Sequence, residues 1–315
     1  MGSAYAPSTA KNFVYQVNQY VDFCSAHRLV LFPPMPLNVA RFITVSSTKN
    51  ITYATLMNKI SAIKKFYYLC GYKLNMDDPA IQLLLAACKR EYSSASKPKL
   101  PIEPGHLLLI KSILETQNPM HQLFFVALII QYFGCLRKSN LLPPSVRGYS
   151  PFKHLSRADI IIFPDQIVLS LPWTKTLQHA NDILTIPIVQ VPGSILDPVS
   201  IYKDFVLQNP LPSPRMPAFS LFTGSKFVIL TQQLYIELLK LYLERLHLPS
   251  HAYSSHSVRR GAATTMFQAK VPKKLLKMHG GWKSSCYERY IQPSSSDKVI
   301  PSKLMQKFIN SRYAL

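Results

Sequence analysis

Acidic residues are scarce in this sequence. Of 315 residues, 15 are Asp or Glu, against 36 Lys and Arg, for a formal net charge of +21. A folded chain this short of anions is expected to meet a polyanion, and nucleic acid is the first expectation. The excess is not one tail. Residues 1–100 carry 12 basic and 4 acidic side chains, net +8, and residues 101–315 carry 24 and 11, net +13. Cysteine is also sparse. The five, Cys24, Cys70, Cys88, Cys135 and Cys286, are odd in number, far apart and form no CxxC pair. That argues against a disulfide framework and against a zinc site. The glycines form neither GxxxxGK[ST] nor GxGxxG, so no nucleotide-phosphate loop is read, and HExxH is missing too. No cofactor and no metal are expected, and any chemistry on DNA is to be considered first as metal-free. The apolar run from Leu123 to Phe133 contains Gln131 and is too short to span a bilayer. No signal peptide is read, so the chain is expected to be intracellular, reduced and away from membranes.

What is present is enough apolar sequence, 48% of residues, for a sizeable core, and enough length for two domains. The first part reads as all helix. Ser8-Thr9 is placed to cap a helix over Ala10–Ala26, and a proline-rich break follows at Pro33-Pro34-Met35-Pro36. Helices are expected at Leu37–Ser46, at Tyr53–Cys70 (Leu56, Ile60, Ile63, Phe66, Tyr67 and Cys70 on one face) and at Pro79–Glu91. The stretch Ser93–Pro101 is small, polar, basic and broken by proline, so the expected division is a domain at 1–92, a linker at 93–101 and a second domain at 102–315. The second part is mixed. Helices are expected at Gly105–Thr116, Met120–Gly134, Pro198–Gln208, Leu230–Leu246, Ser257–Ala269, Pro272–Met278, Ser284–Tyr290 and Pro301–Asn310. Arg157–Leu171 and Ile183–Val191 alternate and are rich in β-branched residues, so they read as a small antiparallel sheet. The fold class expected is mainly α with that small sheet in the second domain.

Four segments carry candidate chemistry. Phe133-Gly134-Cys135-Leu136-Arg137 ends an apolar helix with a positive charge. Leu171-Pro172-Trp173-Thr174-Lys175-Thr176 places a lysine at an expected hairpin turn. Ser255-His256-Ser257-Val258-Arg259 puts His256 and Arg259 three apart at a helix start, where they share a face and an anion is favoured. Gly280-Gly281-Trp282-Lys283 is followed by Tyr287-Glu288-Arg289-Tyr290-Ile291. Each piece alone has a bland reading: Arg137 as a helix C-terminal charge, Lys175 as a solvated turn residue, His256 as a capping residue, Trp282 as core, Tyr290 as a satisfied buried phenol. His279 and Arg260 read as flanking.

Taken in this order, the segments resemble the tyrosine recombinase family, whose set is Arg, a hairpin Lys, His-x-x-Arg, His or Trp, and a Tyr near the C-terminus. The match is Arg137, Lys175, His256, Arg259, Trp282 and Tyr290, and it spans the second domain. The helical first domain, with Ile60-Ser61-Ala62-Ile63-Lys64, resembles the family's core-binding domain. The resemblance therefore implies the two-domain tyrosine recombinase fold, an all-α core-binding domain plus an α+β catalytic domain. Gly281-Trp282-Lys283-Ser284, Arg289-Tyr290-Ile291 and Trp173-Thr174-Lys175-Thr176 look like eukaryotic mobile-element recombinases of the DIRS/Ngaro or Crypton type, which implies a nuclear location. Two departures stand out. Many relatives carry an acidic residue three after the first Arg, where this chain has Asn140. The Trp-to-Tyr interval is eight, one shorter than in many relatives, which makes Tyr287 a rival nucleophile.

The resemblance implies cutting and rejoining of DNA through a covalent 3′-phosphotyrosine, without metal or ATP. The chemistry suits these residues. Phosphodiester transfer passes through a crowded dianionic state that needs fixed positive donors. Arginine's planar fork supplies them at Arg137 and Arg259. A phenol, with an ordinary pKa of about 10, both attacks once deprotonated and leaves again. His256 is placed to take its proton, Lys175 to protonate the departing 5′-oxygen, and Trp282 to donate its indole N–H. Lys59, Lys64, Lys65, Lys97 and Lys99 are expected to contact phosphates without specifying sequence. The expected partner is double-stranded DNA, bound by a homodimer to homotetramer, with the segment Ile300–Leu315 docking in cis or on a neighbouring protomer. Two other readings stay open: a catalytically idle, domesticated DNA-binding protein, and a type IB topoisomerase-like activity.

Overall fold

A computed structural model of the chain describes residues 7–47, 51–92, 99–171, 173, 183–282, 284–291, 293, 297, 299, 301–303 and 305–306. The chain divides into two compact units, Met1–Pro98 and Lys99–Leu315.

The first unit holds four helices among its described residues: α1 (Pro7–Ala26), α2 (Pro36–Ser47), α3 (Tyr53–Leu69) and α4 (Pro79–Glu91). Proline at the start of three of them supplies a backbone dihedral already suited to a first helical turn. Ser8-Thr9, expected as a cap, lie inside α1. Thr52 and Asp78 cap α3 and α4 through their side-chain oxygens. The core is built from Tyr20, Phe42, Ile43, Leu56, Ile60, Ile63, Tyr67, Ile81 and Leu85. Its two buried phenols satisfy each other. The Tyr67 hydroxyl donates to the Leu31 carbonyl at 3.0 Å, so its oxygen is left to accept from Tyr20, 3.1 Å away.

The second unit begins with Leu100 and Ile102, whose amides donate to Ala252 and Ser257 carbonyls at 2.9 Å. Helix α5 (Pro104–Ser112) stops four residues short of the expected Thr116. Helix α6 (Pro119–Phe133), capped by Asn118, is buried on nearly every side from Leu123 to Tyr132, which is why its sequence is a continuous apolar run. The four-residue helix α7 (Lys138–Leu141) follows. Strands β1 (Ile160–Ile162), β2 (Gln166–Leu171) and β3 (Leu184–Val189) form an antiparallel sheet in that order. Ile167, Leu169 and Leu171 of β2 point to the core, as do Ile186 and Ile188 of β3. Pro187, which has no N–H for a ladder, is tolerated because β3 is an edge strand.

Helix α8 (Pro198–Gln208) is capped by Asp197. It precedes a hairpin not expected from the sequence, β4 (Ser220–Thr223) and β5 (Lys226–Ile229). Gly224, at φ +60°, turns its corner. Helices α9 (Gln232–Arg245), α10 (Ser255–Gln268) and α11 (Lys273–His279) complete the unit. The segment expected as a helix at Ser284–Tyr290 is a tighter 3-10 turn, Ser285–Arg289. Most of the C-terminal segment from residue 300, including Leu304, Phe308 and Ile309, lies outside the described residues.

Candidate active site

Helix α10 organises the site. Its N-cap Ser254 accepts from the His256 amide at 3.2 Å, and Ser257 returns the bond by accepting from the Ser254 amide at 2.9 Å. His256 thus sits exposed in the first turn, and Arg259, 2% exposed, lies one turn deeper.

The Arg259 guanidinium is held by two helix ends. One Nη donates to the Cys135 carbonyl, and the other to the Gly280 carbonyl at 2.6 Å. Both carbonyls are presented by the same device. After α6, Cys135 takes the left-handed conformation (φ 48°), its amide donates to Tyr132, and the Leu136 amide reaches back to Gln131 at 2.9 Å. After α11, Gly281 does so at φ 62°, and the Trp282 amide reaches back to Lys277 at 2.9 Å. These double-bonded helix endings reverse the chain sharply. One delivers Arg137 and the other Trp282. Arg137 is therefore not a C-terminal charge on α6. It stands in extended conformation as the N-cap of α7, half-buried.

Arg259 lies over the Trp282 indole, 4.0 Å from guanidinium carbon to ring centroid, and 5.7 Å from the Tyr290 ring. Tyr290 is 5.6 Å from Trp282 and 6.4 Å from His256, ring to ring. Burial pulls the Arg259 guanidinium below the ordinary arginine value. Cys135 opposes that shift, and the positive charge of Arg137 adds to it. The two arginines are thus close enough to feel each other, and among the described residues no carboxylate pairs with either. Two donors in this cluster, Arg259 Nε and Trp282 Nε1, are buried with no acceptor among the described residues. Orphaned donors of this kind are costly unless an incoming group accepts from them. Burial pushes the Cys135 thiol up to about 11, so it packs as a neutral core group whose Sγ lies 3.7 Å from the Arg259 carbonyl.

Five of the six expected catalytic residues, Arg137, His256, Arg259, Trp282 and Tyr290, converge here. Lys175 lies outside the described residues. The rival Tyr287 is 3% exposed, packed 6.1 Å from Trp282, and burial together with Glu288 raises its phenol, whereas Tyr290 is only half-buried. His279 Nε2 donates to the Phe133 carbonyl at 2.8 Å, which ties α11 to the end of α6.

Four of the five expected phosphate contacts fall among the described residues. Lys59 and Lys65 of α3 lie against the rings of Phe42 and Phe13, 5.8 and 5.7 Å away. Lys64 is exposed beside a groove shared with Tyr68, Tyr72 and Lys73. Lys99 donates to the His251 carbonyl at 2.5 Å, and Lys97 lies outside the described residues. No group of His, Cys, Asp or Glu able to hold a metal occurs among the described residues.

Several residues that shape the site gave no signal of that role in the sequence. Arg260 and Thr264, one turn apart on α10, donate to the carbonyls of Arg289 and Tyr290 at 2.5 and 3.3 Å. Gln131, the lone polar residue of the apolar run, donates to Leu136 and Ser255 carbonyls at 3.1 and 3.4 Å and accepts from Tyr235.

No protein-family model matches the chain, and no curated protein matches it. Solved structures do. The Tn1549 transposon integrase (residues 82–397), in complex with circular intermediate DNA, superposes with a TM-score of 0.62 at 14% identity, over 96% of this chain and 95% of that one. The XerH site-specific recombinase bound to palindromic difH substrate gives 0.57 at 13% identity, over 92% and 76%. A λ integrase (75–356) dimer bound to a COC′ core site gives 0.54 at 12%, over 93% and 92%. This chain has the fold of the tyrosine recombinases.

Proposed function

We propose that this chain is a tyrosine recombinase that cuts and rejoins double-stranded DNA through Tyr290. The reading rests above all on the two buried donors without acceptors, Arg259 Nε and Trp282 Nε1, gathered within ring-contact distance of a half-exposed tyrosine. An anion with several acceptor oxygens, such as a DNA phosphate, meets that need.

In this scheme Tyr290 Oη gives up its proton to His256 and attacks the scissile phosphorus. A bond forms from Oη to phosphorus, and the bond to the 5′-oxygen breaks. Lys175 supplies the proton that leaves with the 5′-hydroxyl, and the 3′-phosphotyrosine keeps the bond energy for rejoining by the reverse path. Arg137 and Arg259 neutralise the non-bridging oxygens. The exposed Lys64, with Lys59, Lys65, Lys97 and Lys99, contributes backbone contacts whose loss weakens binding across sequences and reduces its salt dependence. The neighbours are DNA-bound, one of them as a dimer, which supports assembly on DNA as a homodimer to homotetramer. Membership of the DIRS/Ngaro or Crypton elements, and with it a nuclear location, is supported by the sequence motifs around Trp173, Trp282 and Tyr290 alone.

The test is an adduct. Protein incubated in EDTA with nicked duplex carrying candidate element ends is denatured in SDS and examined for a DNA-shifted band. Wild type and Tyr287→Phe are expected to form it, and Tyr290→Phe is not. Loss in Tyr287→Phe alone moves the nucleophile, and no adduct from wild type on a DNA that it binds favours the idle binding protein.

A further inference from the structure

The end of α3 and the turn after it line a groove of about 380 Å³ in the first unit, with Lys64, Tyr68, Tyr72 and Lys73 on it. Lys64 and Tyr68 are four residues apart on a helix and share a face. Gly71 takes the left-handed conformation (φ 83°), and the Tyr72 amide reaches back to the Tyr67 carbonyl at 2.9 Å. That helix ending reverses the chain and brings Tyr72 and Lys73 back to the groove. The rest of the lining, Leu74 to Asp77, is held in place. Leu74 is buried in the core of the unit, the Asp77 amide donates to the Asn75 side chain at 3.1 Å, and Gln82 of α4 donates to the Met76 carbonyl at 2.8 Å.

Tyr68 is 77% exposed and Tyr72 42%, although Phe32 packs 5.2 Å from the Tyr72 ring. A single exposed tyrosine needs no account. Two around one groove, with two exposed lysines and one carboxylate, Asp77, are a specific combination. Residues 1–100 carry net +8, so the groove belongs to a basic unit. The occupant that fits is an anion with a flat apolar ring to offer. A duplex brings the charge but hides its base faces in the stack, and an acidic peptide brings the charge without the ring. A single nucleic-acid strand brings both, phosphates for the lysines and bare base faces for the tyrosines.

We propose that this groove binds a single nucleic-acid strand, with an unstacked base against Tyr68 and Tyr72 and the flanking phosphates at Lys64 and Lys73. The proposal goes beyond the recombinase reading. It places unpaired strand on the unit that carries none of the expected catalytic residues, and it holds for a binding protein as well as for an enzyme.

Removal of the bases from the ligand tests it. The full chain is titrated at fixed salt, by fluorescence anisotropy, with three labelled DNAs. These are an oligothymidylate, its abasic counterpart with every phosphate and no base, and a duplex of the same length. Wild type is expected to bind the oligothymidylate about tenfold or more tightly than the abasic strand. Tyr68→Leu and Tyr72→Leu are each expected to lose about tenfold on the oligothymidylate and less than about threefold on the abasic strand and the duplex. Tyr68→Phe and Tyr72→Phe keep the ring and are expected to stay within about threefold of wild type on all three. Lys64→Gln combined with Lys73→Gln is expected to weaken both single strands alike and to flatten the log–log salt dependence by about 1.4. Tyr68 is exposed, so Tyr68→Leu leaves the core intact and carries the test if Tyr72→Leu does not fold.

Absent binding of the oligothymidylate, or equal affinity for the two single strands, overturns the proposal. A preference for bases that survives Tyr68→Leu also overturns it, by placing the stacking elsewhere. Losses on the duplex as large as on the single strand overturn it and assign the groove to duplex contacts. Self-association of the chain that Tyr68→Leu abolishes overturns it in favour of a second copy. None of these results bears on Tyr290, whose adduct is a separate measurement.

Discussion

Arg259 and Trp282 form a stacked pair, guanidinium carbon 4.0 Å from the indole centroid, in which each partner carries a buried N–H with no acceptor among the described residues. Stacking on an aromatic face fixes the plane of the fork, and the Cys135 and Gly280 carbonyls fix its direction. Lysine keeps the charge but not the planar fork that holds its donors in fixed directions. Arg259→Lys is therefore expected to reduce single-turnover cleavage by about 10²–10³-fold, as for loss of a preorganised donor, while DNA affinity falls far less. Trp282→Phe keeps an aromatic ring but removes one neutral N–H, and a loss of about tenfold is expected. Equal losses in binding and cleavage for Arg259→Lys would show a structural arginine rather than one aimed at the reacting phosphate.

Gly280 stands where a side chain has no room. A Cβ there lies 1.8 Å from the Trp282 ring, inside the six-membered portion that packs in the core. Gly280→Ala must shift the indole from its present seat. The expected result is a shift in tryptophan fluorescence together with slower adduct formation, in a protein that still folds. An unshifted emission spectrum with wild-type cleavage would mean that the indole is not seated as described.

Gly261 faces a harder obstacle. Its Cβ position is 1.6 Å from the Ile102 carbonyl oxygen, because the first strand of chain in the second unit lies directly on α10 and donates from Ile102 to Ser257. Backbone yields less readily than a side-chain tip. Gly261→Ala is expected to destabilise the unit by about 3 kcal/mol, the upper end of overpacking costs, seen as a lower denaturation midpoint at an unchanged slope. A midpoint equal to wild type would rule out this close approach.

How much of this was legible in the sequence differs from place to place. The helices of the first unit and the buried α6 follow from periodicity and apolar runs, since a face or a whole surface that must be buried leaves its period in the residues. The His256–Arg259 pair was legible because three residues on a helix is a fixed geometry. Three things were not. The β4–β5 hairpin is short, and four residues on each side of its Gly224-Ser225 turn leave little alternation to read. The reversal that places Arg137 depends on Cys135 adopting a left-handed conformation, which favours glycine and is not read from a cysteine. The bonds of Arg260 and Gln131 run to backbone carbonyls, and a carbonyl is present at every position, so sequence carries no trace of which one is chosen.

The nucleophile's own backbone supplies the last prediction. Tyr290 follows a 3-10 turn of five residues, a weakly held element, and the carbonyls at its end are gripped from α10 by Arg260 and Thr264. The same helix carries His256 and Arg259, so base, clamp and nucleophile are referenced to one rigid body. Arg260→Ala combined with Thr264→Val removes both grips and leaves the reacting groups in place. Each lost bond is worth about 1 kcal/mol, so the fold is expected to survive. Hydrogen exchange over residues 285–291 is expected to quicken, and adduct formation to slow, while the adduct still maps to Tyr290. Faster exchange with unchanged cleavage would mean that DNA alone orders the tyrosine. Unchanged exchange would mean that the turn stands without α10.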